Sequence, residues 1–319
     1  MIPTSFATLR TNIVRLLPPL AALGACGGLT LALACASSAP PVREFDGRKA
    51  LAYAADQLAF GPRIPGSTGH AATARWLDSM LRLRADTVMV QGWEHTTVAG
   101  KVLPMRNVLA RFNVAATKRV MLIAHWDTRP RADASGSADT LAPVPGANDG
   151  ASGVAVLLGI ADALKLQGPA VGVDLLFVDG EDYGDFYAPG RPDVLIGARY
   201  YADHPLVPFP KYAILLDMIG DRTLQIKQEG YSLSAAPDVV EKVWAAAARL
   251  GSASTFVDQA GIEITDDHVE FIRVGVPTID VIDIDYPWHH TKDDTLDKIS
   301  AESLQIVGDV MMLVIRGEK

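Results

Sequence analysis

From Phe45 onward the apolar positions of this chain follow two alternating periods. Leu51, Ala54, Ala55 and Leu58 share one stripe at helical spacing, which predicts a helix over 47–59. Ser67 or Thr68 can cap a second helix running to about Leu83, after the turn-rich loop Gly61-Pro62-Arg63-Ile64-Pro65-Gly66. Short apolar or alternating runs then predict strands over 87–91, 107–112, 119–124, 173–178, 212–216 and 276–282. Longer patterns at helical period predict helices over 151–166, 239–250 and 301–315. Buried strands alternating with helices specify an α/β sandwich around a mostly parallel sheet. In that architecture ligands sit beyond the carboxyl ends of the strands.

The residues leaving those strands are polar in a telling way. The strand over 119–124 exits into His125-Trp126-Asp127-Thr128, and the one over 173–178 into Asp179-Gly180-Glu181-Asp182. The next two exit into Asp217, and into Asp283-Ile284-Asp285 followed by Trp288-His289-His290-Thr291. A loop, Gly146-Ala147-Asn148-Asp149-Gly150, enters the helix over 151–166. Imidazole and carboxylate delivered to one rim suit zinc, whose catalytic sites combine three protein ligands with an open position. Carboxylate-rich sites also hold two metals. Taken singly, each residue has a duller role: a strand-end histidine is usually a hydrogen-bonded surface group, and Asn-Asp-Gly is common turn chemistry. The joint placement favours a metal, because Glu181 and Asp182 side by side after an apolar strand repel each other without a cation nearby.

Composition narrows the alternatives. The 319 residues carry 29 Lys+Arg against 37 Asp+Glu, a net charge of −8, which argues against nucleic acid as a partner. The loop at Gly146 has no Lys and aims Asp149 at its ligand, so it does not cradle phosphate, and no Gly-x-Ser-x-Gly elbow exists for a serine hydrolase. Both cysteines, Cys26 and Cys35, lie before Phe45, which removes a thiol nucleophile from the body of the protein. Arg10 and Arg15 ahead of the apolar run from Leu16 to Ala34 read as an export leader over 1–35. Leu23-Gly24-Ala25-Cys26 and Ala32-Leu33-Ala34-Cys35 are imperfect lipoprotein cleavage sites, so the expectation is a periplasmic protein or one anchored by lipid through Cys26 or Cys35. An ordinary cleaved signal or an uncleaved anchor is the alternative. Residues 36–44 read as a tether and 45–319 as one catalytic domain.

The ordered motifs Ala-His-Trp-Asp-Thr at 124–128, Gly-Ala-Asn-Asp-Gly-Ala-Ser-Gly at 146–153, Asp-Gly-Glu-Asp at 179–182, Leu-Leu-Asp-Met-Ile-Gly at 215–220 and His-Thr-Lys-Asp-Asp-Thr at 290–295 resemble the zinc aminopeptidases of family M28. They resemble more closely the zinc-dependent glutaminyl-peptide cyclotransferases, which share that fold. The resemblance implies a three-layer sandwich whose twisted, mostly parallel sheet has mixed edges. It implies Asp149, Asp182 and His290 as ligands of one Zn2+, with His125 and Asp217 as the positions of a second zinc in the aminopeptidases. Glu181 matches the general acid/base, Asp266 and Asp217 its hydrogen-bonding acids, and Trp126, Tyr187 and Trp288 fall near the substrate pocket. Asp182 replaces the Glu common at its position. The segment Ile264-Thr265-Asp266-Asp267-His268 favours the cyclase, which converts an N-terminal Gln of a peptide or protein to pyroglutamate with release of ammonia. Aminopeptidase hydrolysis of N-terminal residues is the alternative.

Overall fold

The computed structural model describes residues 44–134 and 139–319. The expected leader, both cysteines and nearly all of the tether lie outside the described residues. The central sheet has six strands in the order β1 (Thr87–Thr96), β2 (Val102–Phe112), β4 (Gly172–Val178), β3 (Arg119–His125), β5 (Ala213–Asp217) and β8 (Thr278–Ile282). β4, β3, β5 and β8 are mutually parallel, while β1 and β2 run antiparallel along one edge. This is the mostly parallel, mixed-edge sheet expected from the sequence. A small pair, β6 (Ile226–Gln228) and β7 (Phe256–Ala260), stands apart.

Every residue of β3, β4, β5 and β8 is buried, since helices cover both faces, and this is why these strands read as continuous apolar runs. On one face pack α1 (Gly47–Ala59), α3 (Ala151–Leu166), α6 (Pro237–Arg249) and α8 (Ala301–Gly317); α4 (Ile196–Asp203) and α7 (His268–Arg273) cover the other. Asp46 starts α1 by accepting from the amides of Arg48 (3.0 Å) and Lys49 (3.1 Å), and Ser67 starts α2 (Thr68–Arg82) through the His70 amide (3.1 Å). Phe45 is clamped between α3 and α8. A Cβ at Gly159 or Gly308 would come within 2.5 Å and 2.3 Å of its ring, so only glycine admits it at both crossings.

α1 and α3 match the expected spans, and the strands of the parallel core match within about two residues. β1 and β2 run further than the sequence reading, because their added residues alternate with polar, exposed ones and include Pro104, which lies beyond the stretch paired with β4. α4, α7 and α5 (Gly230–Ala235) went unread, being too short to display a helical period.

Candidate active site

The carboxyl ends of the parallel strands meet above the sheet. His125 closes β3, Asp217 closes β5, and Glu181 and Asp182 follow β4 through Gly180, whose φ of 71° suits glycine. Asp149 ends the loop before α3, where the helix dipole favours a carboxylate. That loop is fixed from three sides. Asp294 accepts from the amides of Asn148 (2.9 Å) and Asp149 (3.1 Å), and from the Tyr286 hydroxyl (2.7 Å). Fully buried Arg63 donates to Gly146 O (2.6 Å), Pro145 O and Trp126 O. Asn148 Oδ1 accepts from Gly220 N (2.7 Å), tying the loop to the β5 exit. A Cβ on Gly150 would lie 2.4 Å from His125 Nε2 and 2.5 Å from His125 O, so the Asp-Gly pair is set by contact with β3.

The expected ligands converge. His290 Nε2 lies 3.2 Å from Asp182 Oδ1 and 3.7 Å from Asp149 Oδ2. His125 Nε2 is 3.1 Å from both Asp149 Oδ1 and Asp217 Oδ1, and its Nδ1 is 3.8 Å from Glu181 Oε2. His125, Asp149 and Glu181 bring one ligand atom each within 4.8 Å of one another, as do Asp149, His289 and His290. Asp149 Oδ2 and Asp182 Oδ2 are buried without a hydrogen-bond partner. Orphaned carboxylate oxygens beside imidazoles are the donor set a divalent cation requires, so these residues fit one. Met218, beside Asp217, and His290 take positive φ (47° and 55°), a strain of about 1–3 kcal/mol each that the surrounding structure must offset.

Burial dominates the electrostatics. It pushes Glu181 well above the usual carboxylate range; Asp182, Asp266 and Asp267 push the same way, and His125 opposes them. Burial and Asp217 raise Asp266 to about 7, and burial raises Asp217. Burial also opposes ionisation of Asp149, but the hydrogen bond and charge of His125, with His290 beyond, outweigh it and hold that carboxyl below its ordinary value. Glu181 is therefore an acid that holds its proton easily beside a carboxylate that does not.

Glu181, Asp217, Asp266, Asp149 and His290 border a cavity of about 760 Å³, in the range that encloses a peptide terminus rather than a single ion. Phe186, Tyr187, Ile262, Ile264 and Ile284 supply its apolar wall. Tyr187 lies at the mouth, 96% exposed. Two of the three expected pocket aromatics are elsewhere. Trp126 is fully buried, stacks on His70 at 4.4 Å and donates to Arg106 O, so its ring fills the core. Trp288 packs under the Lys298 ammonium, 4.5 Å from its ring centroid, and His289 takes the wall position instead.

Sequence reasoning passed over two further residues. Asp127 accepts from the amides of Glu181 (3.1 Å) and Asp182 (3.2 Å), aiming both acids; its place two residues after His125 at a strand exit was the available signal. Arg129 donates to Asp182 Oδ1 (2.5 Å) and, twice, to Asp133. Nothing in the local sequence announces that pairing.

The model for peptidase family M28 matches residues 107–315. The solved glutaminyl cyclase of Bacteroides thetaiotaomicron, bound to N-acetylhistamine, superposes with a TM-score of 0.82 at 38% identity, over 86% of this chain and 99% of that one. A leucine aminopeptidase precursor from the same organism superposes at 0.83, also at 38% identity, over 86% and 98%. The glutaminyl-peptide cyclotransferase of Drosophila melanogaster is 25% identical over 77% of this chain and 75% of its own length. Since the family match spans well over half of the sequence, from β2 to α8, this chain belongs to peptidase family M28.

Proposed function

We propose that this protein is a zinc-dependent glutaminyl-peptide cyclotransferase with one zinc ion, held by Asp149, Asp182 and His290. The observation that carries the reading is a buried Glu181, raised well above the ordinary carboxylate range, that lines one part-apolar cavity together with Asp217 and Asp266. The solved bacterial glutaminyl cyclases, about as similar over nearly their full length, support it. One zinc is the count that goes with the cyclase reading; His125, whose Nε2 lies 3.1 Å from Asp149 Oδ1 and from Asp217 Oδ1, stands where the aminopeptidase reading would put a second ion.

Zinc, when bound, supplies Lewis acidity to the side-chain amide carbonyl of an N-terminal Gln. Glu181 takes a proton from the attacking α-amine as its nitrogen bonds to the amide carbon, then delivers it to the departing nitrogen as the C–N bond breaks and ammonia leaves. A carboxylate whose proton affinity is raised by burial takes the amine proton more readily than an exposed one, and an affinity near the working pH lets it serve as base and then as acid. Asp266, on the same cavity wall, adds its charge to burial in raising the proton affinity of Glu181, while Asp217 is paired with His125. The apolar wall limits water, which would yield Glu rather than the ring.

Aminopeptidase chemistry is the second reading, favoured by the meeting of His125, Asp149 and Asp217 and by the similarity to the leucine aminopeptidase precursor. The two separate when purified protein is offered a Gln-initiated and a Leu-initiated peptide together. Pyroglutamyl peptide and ammonia support the cyclase, whereas free Leu with an unchanged Gln peptide overturns it. Export through the leader over 1–35, with lipid on Cys26 or Cys35, is part of this proposal and rests on the basic and apolar pattern there. Membrane fractionation of the wild type against Cys26→Ser and Cys35→Ser checks the anchor.

A further inference from the structure

The active-site cavity has a neighbour behind its apolar wall. Ile262, Ile264, Ile282 and Ile284 line both the cavity and a second pocket of about 260 Å³, so at these side chains the two spaces stand back to back. The second pocket is smaller than those that take a whole small molecule, and it suits one or two side chains. On the shared wall Ile262 is 66% exposed, and its backbone is fixed. Gly261 N donates to Gln228 O (2.7 Å), Gly230 N to Ile262 O (2.9 Å) and Ile264 N to Glu229 Oε1 (2.9 Å), which pins the loop to β6 and α5. The isoleucine therefore stays in water until something apolar covers it. Polar groups complete the border: Gln225, Gln259, and Lys227 paired with Asp285 at 2.7 Å.

We propose that this second pocket is a specificity subsite, which takes an aliphatic side chain from one of the two residues that follow the N-terminal Gln of the substrate. This rests on the cyclase reading above. A Gln that cyclises keeps its α-amine and side-chain amide together in the cavity, and its own carbonyl carries the rest of the peptide outward. An extended chain advances about 3.3–3.6 Å per residue, so one or two residues are enough to cross a wall that is one side chain thick. The isoleucines then cover the aliphatic side chain, and Gln225 and Gln259 stand at the border with amides suited to the peptide's N–H and C=O groups. A small side chain at the same place leaves the wall in water and gains little from it.

Ammonia release by the full-length, zinc-loaded protein is measured on three peptide amides, Gln-Ala-Ala, Gln-Leu-Ala and Gln-Ala-Leu. Leu at one of the two positions should raise kcat/KM by about 10-fold over the all-Ala peptide, the lower end of what added methylenes are worth in an apolar pocket, and it should do so mainly through KM. Ala260→Trp provides the second measurement. Ala260 ends β7, is exposed, and borders the second pocket but not the cavity, so an indole there fills the subsite alone. The preference for Leu over Ala should fall to within about 2-fold in this variant, whereas a merely structural defect would lower all three peptides together. Leu and Ala peptides within 2-fold of each other at both positions in the wild type overturn the proposal, as does an Ala260→Trp protein that keeps the full preference. The wild-type series decides even where the variant does not fold. Failure of the cyclase reading has a different signature: free Gln would appear with no ammonia and no pyroglutamyl product, and the subsite would fall with it.

Discussion

Replacing Arg129 by Met separates the metal's contribution from that of the protein frame. The guanidinium is buried; it meets Asp182 Oδ1 at 2.5 Å and Asp133 at 2.6 and 2.9 Å, and it lies 5.9 Å from the Phe186 ring centroid. The Asp133 half is partly exposed and worth little, about 0.5 kcal/mol. The Asp182 half is buried on both sides, and removing one partner of such a pair costs about 3–5 kcal/mol because the other charge is left uncompensated. Met conserves most of the apolar stem, so packing loss is minor. For a domain of this size each kcal/mol moves the melting temperature by about 2 °C, and metal-free Arg129→Met should melt about 6–10 °C below metal-free wild type. Zinc supplies a replacement positive charge at Asp182, and therefore saturating zinc should raise the variant's melting temperature by more than it raises the wild type's. The assay is a pair of circular-dichroism melts per protein, chelated and zinc-saturated. Metal-free curves that coincide within 2 °C, or a deficit that zinc does not narrow, refute the reasoning.

Two further perturbations test the frame around the site. Gly150→Ala puts a methyl within 2.4–2.6 Å of the His125 ring and carbonyl; it should cost about 1–3 kcal/mol in urea unfolding and weaken zinc binding, while Gly168→Ala, with open space around it, should leave both unchanged. Glu229 accepts from the amides of Tyr231, Ser232 and Ile264 and from the Ser232 hydroxyl, fixing the segment that carries Asp266; burial opposes its charge, but His268 and these donors hold its carboxyl at about 2 against an ordinary 4.5. Its folded value is depressed, so its stabilisation is complete above pH 4.5 and fades as pH falls toward 2. Glu229→Gln should lose about 2 kcal/mol at pH 7, with the gap closing below pH 4.5, as read by urea unfolding across that range.

The parallel core was legible because a strand covered on both faces has nowhere to place a polar residue except at its end. That same rule exposed His125, Asp217 and the Glu181–Asp182 pair. α3 could be bounded to the residue, since its apolar face is nearly continuous and Gly150 and Gln167 flank it. Edge strands and six-residue helices carry no such mark. The two tryptophans show a different limit: an aromatic next to a ligand has two sides to choose from, and identity does not say which. Trp126 turned to the core because Arg106 O and His70 offer its indole a partner and a stack there. Asp127, Arg129 and Asp294 act on backbone or side chains more than 50 positions distant, and only the closed fold pairs them.

Glu181→Gln is the most direct test of the account, because it removes the proton shuttle while keeping its size and leaving the ligands Asp149, Asp182 and His290 untouched. Metal content and ammonia release from a Gln-initiated peptide are measured on the same sample. The account predicts one zinc per chain, as in wild type, with turnover lower by about 10²–10⁴-fold, the usual worth of a positioned acid/base. Turnover within 10-fold of wild type with that zinc in place would contradict it.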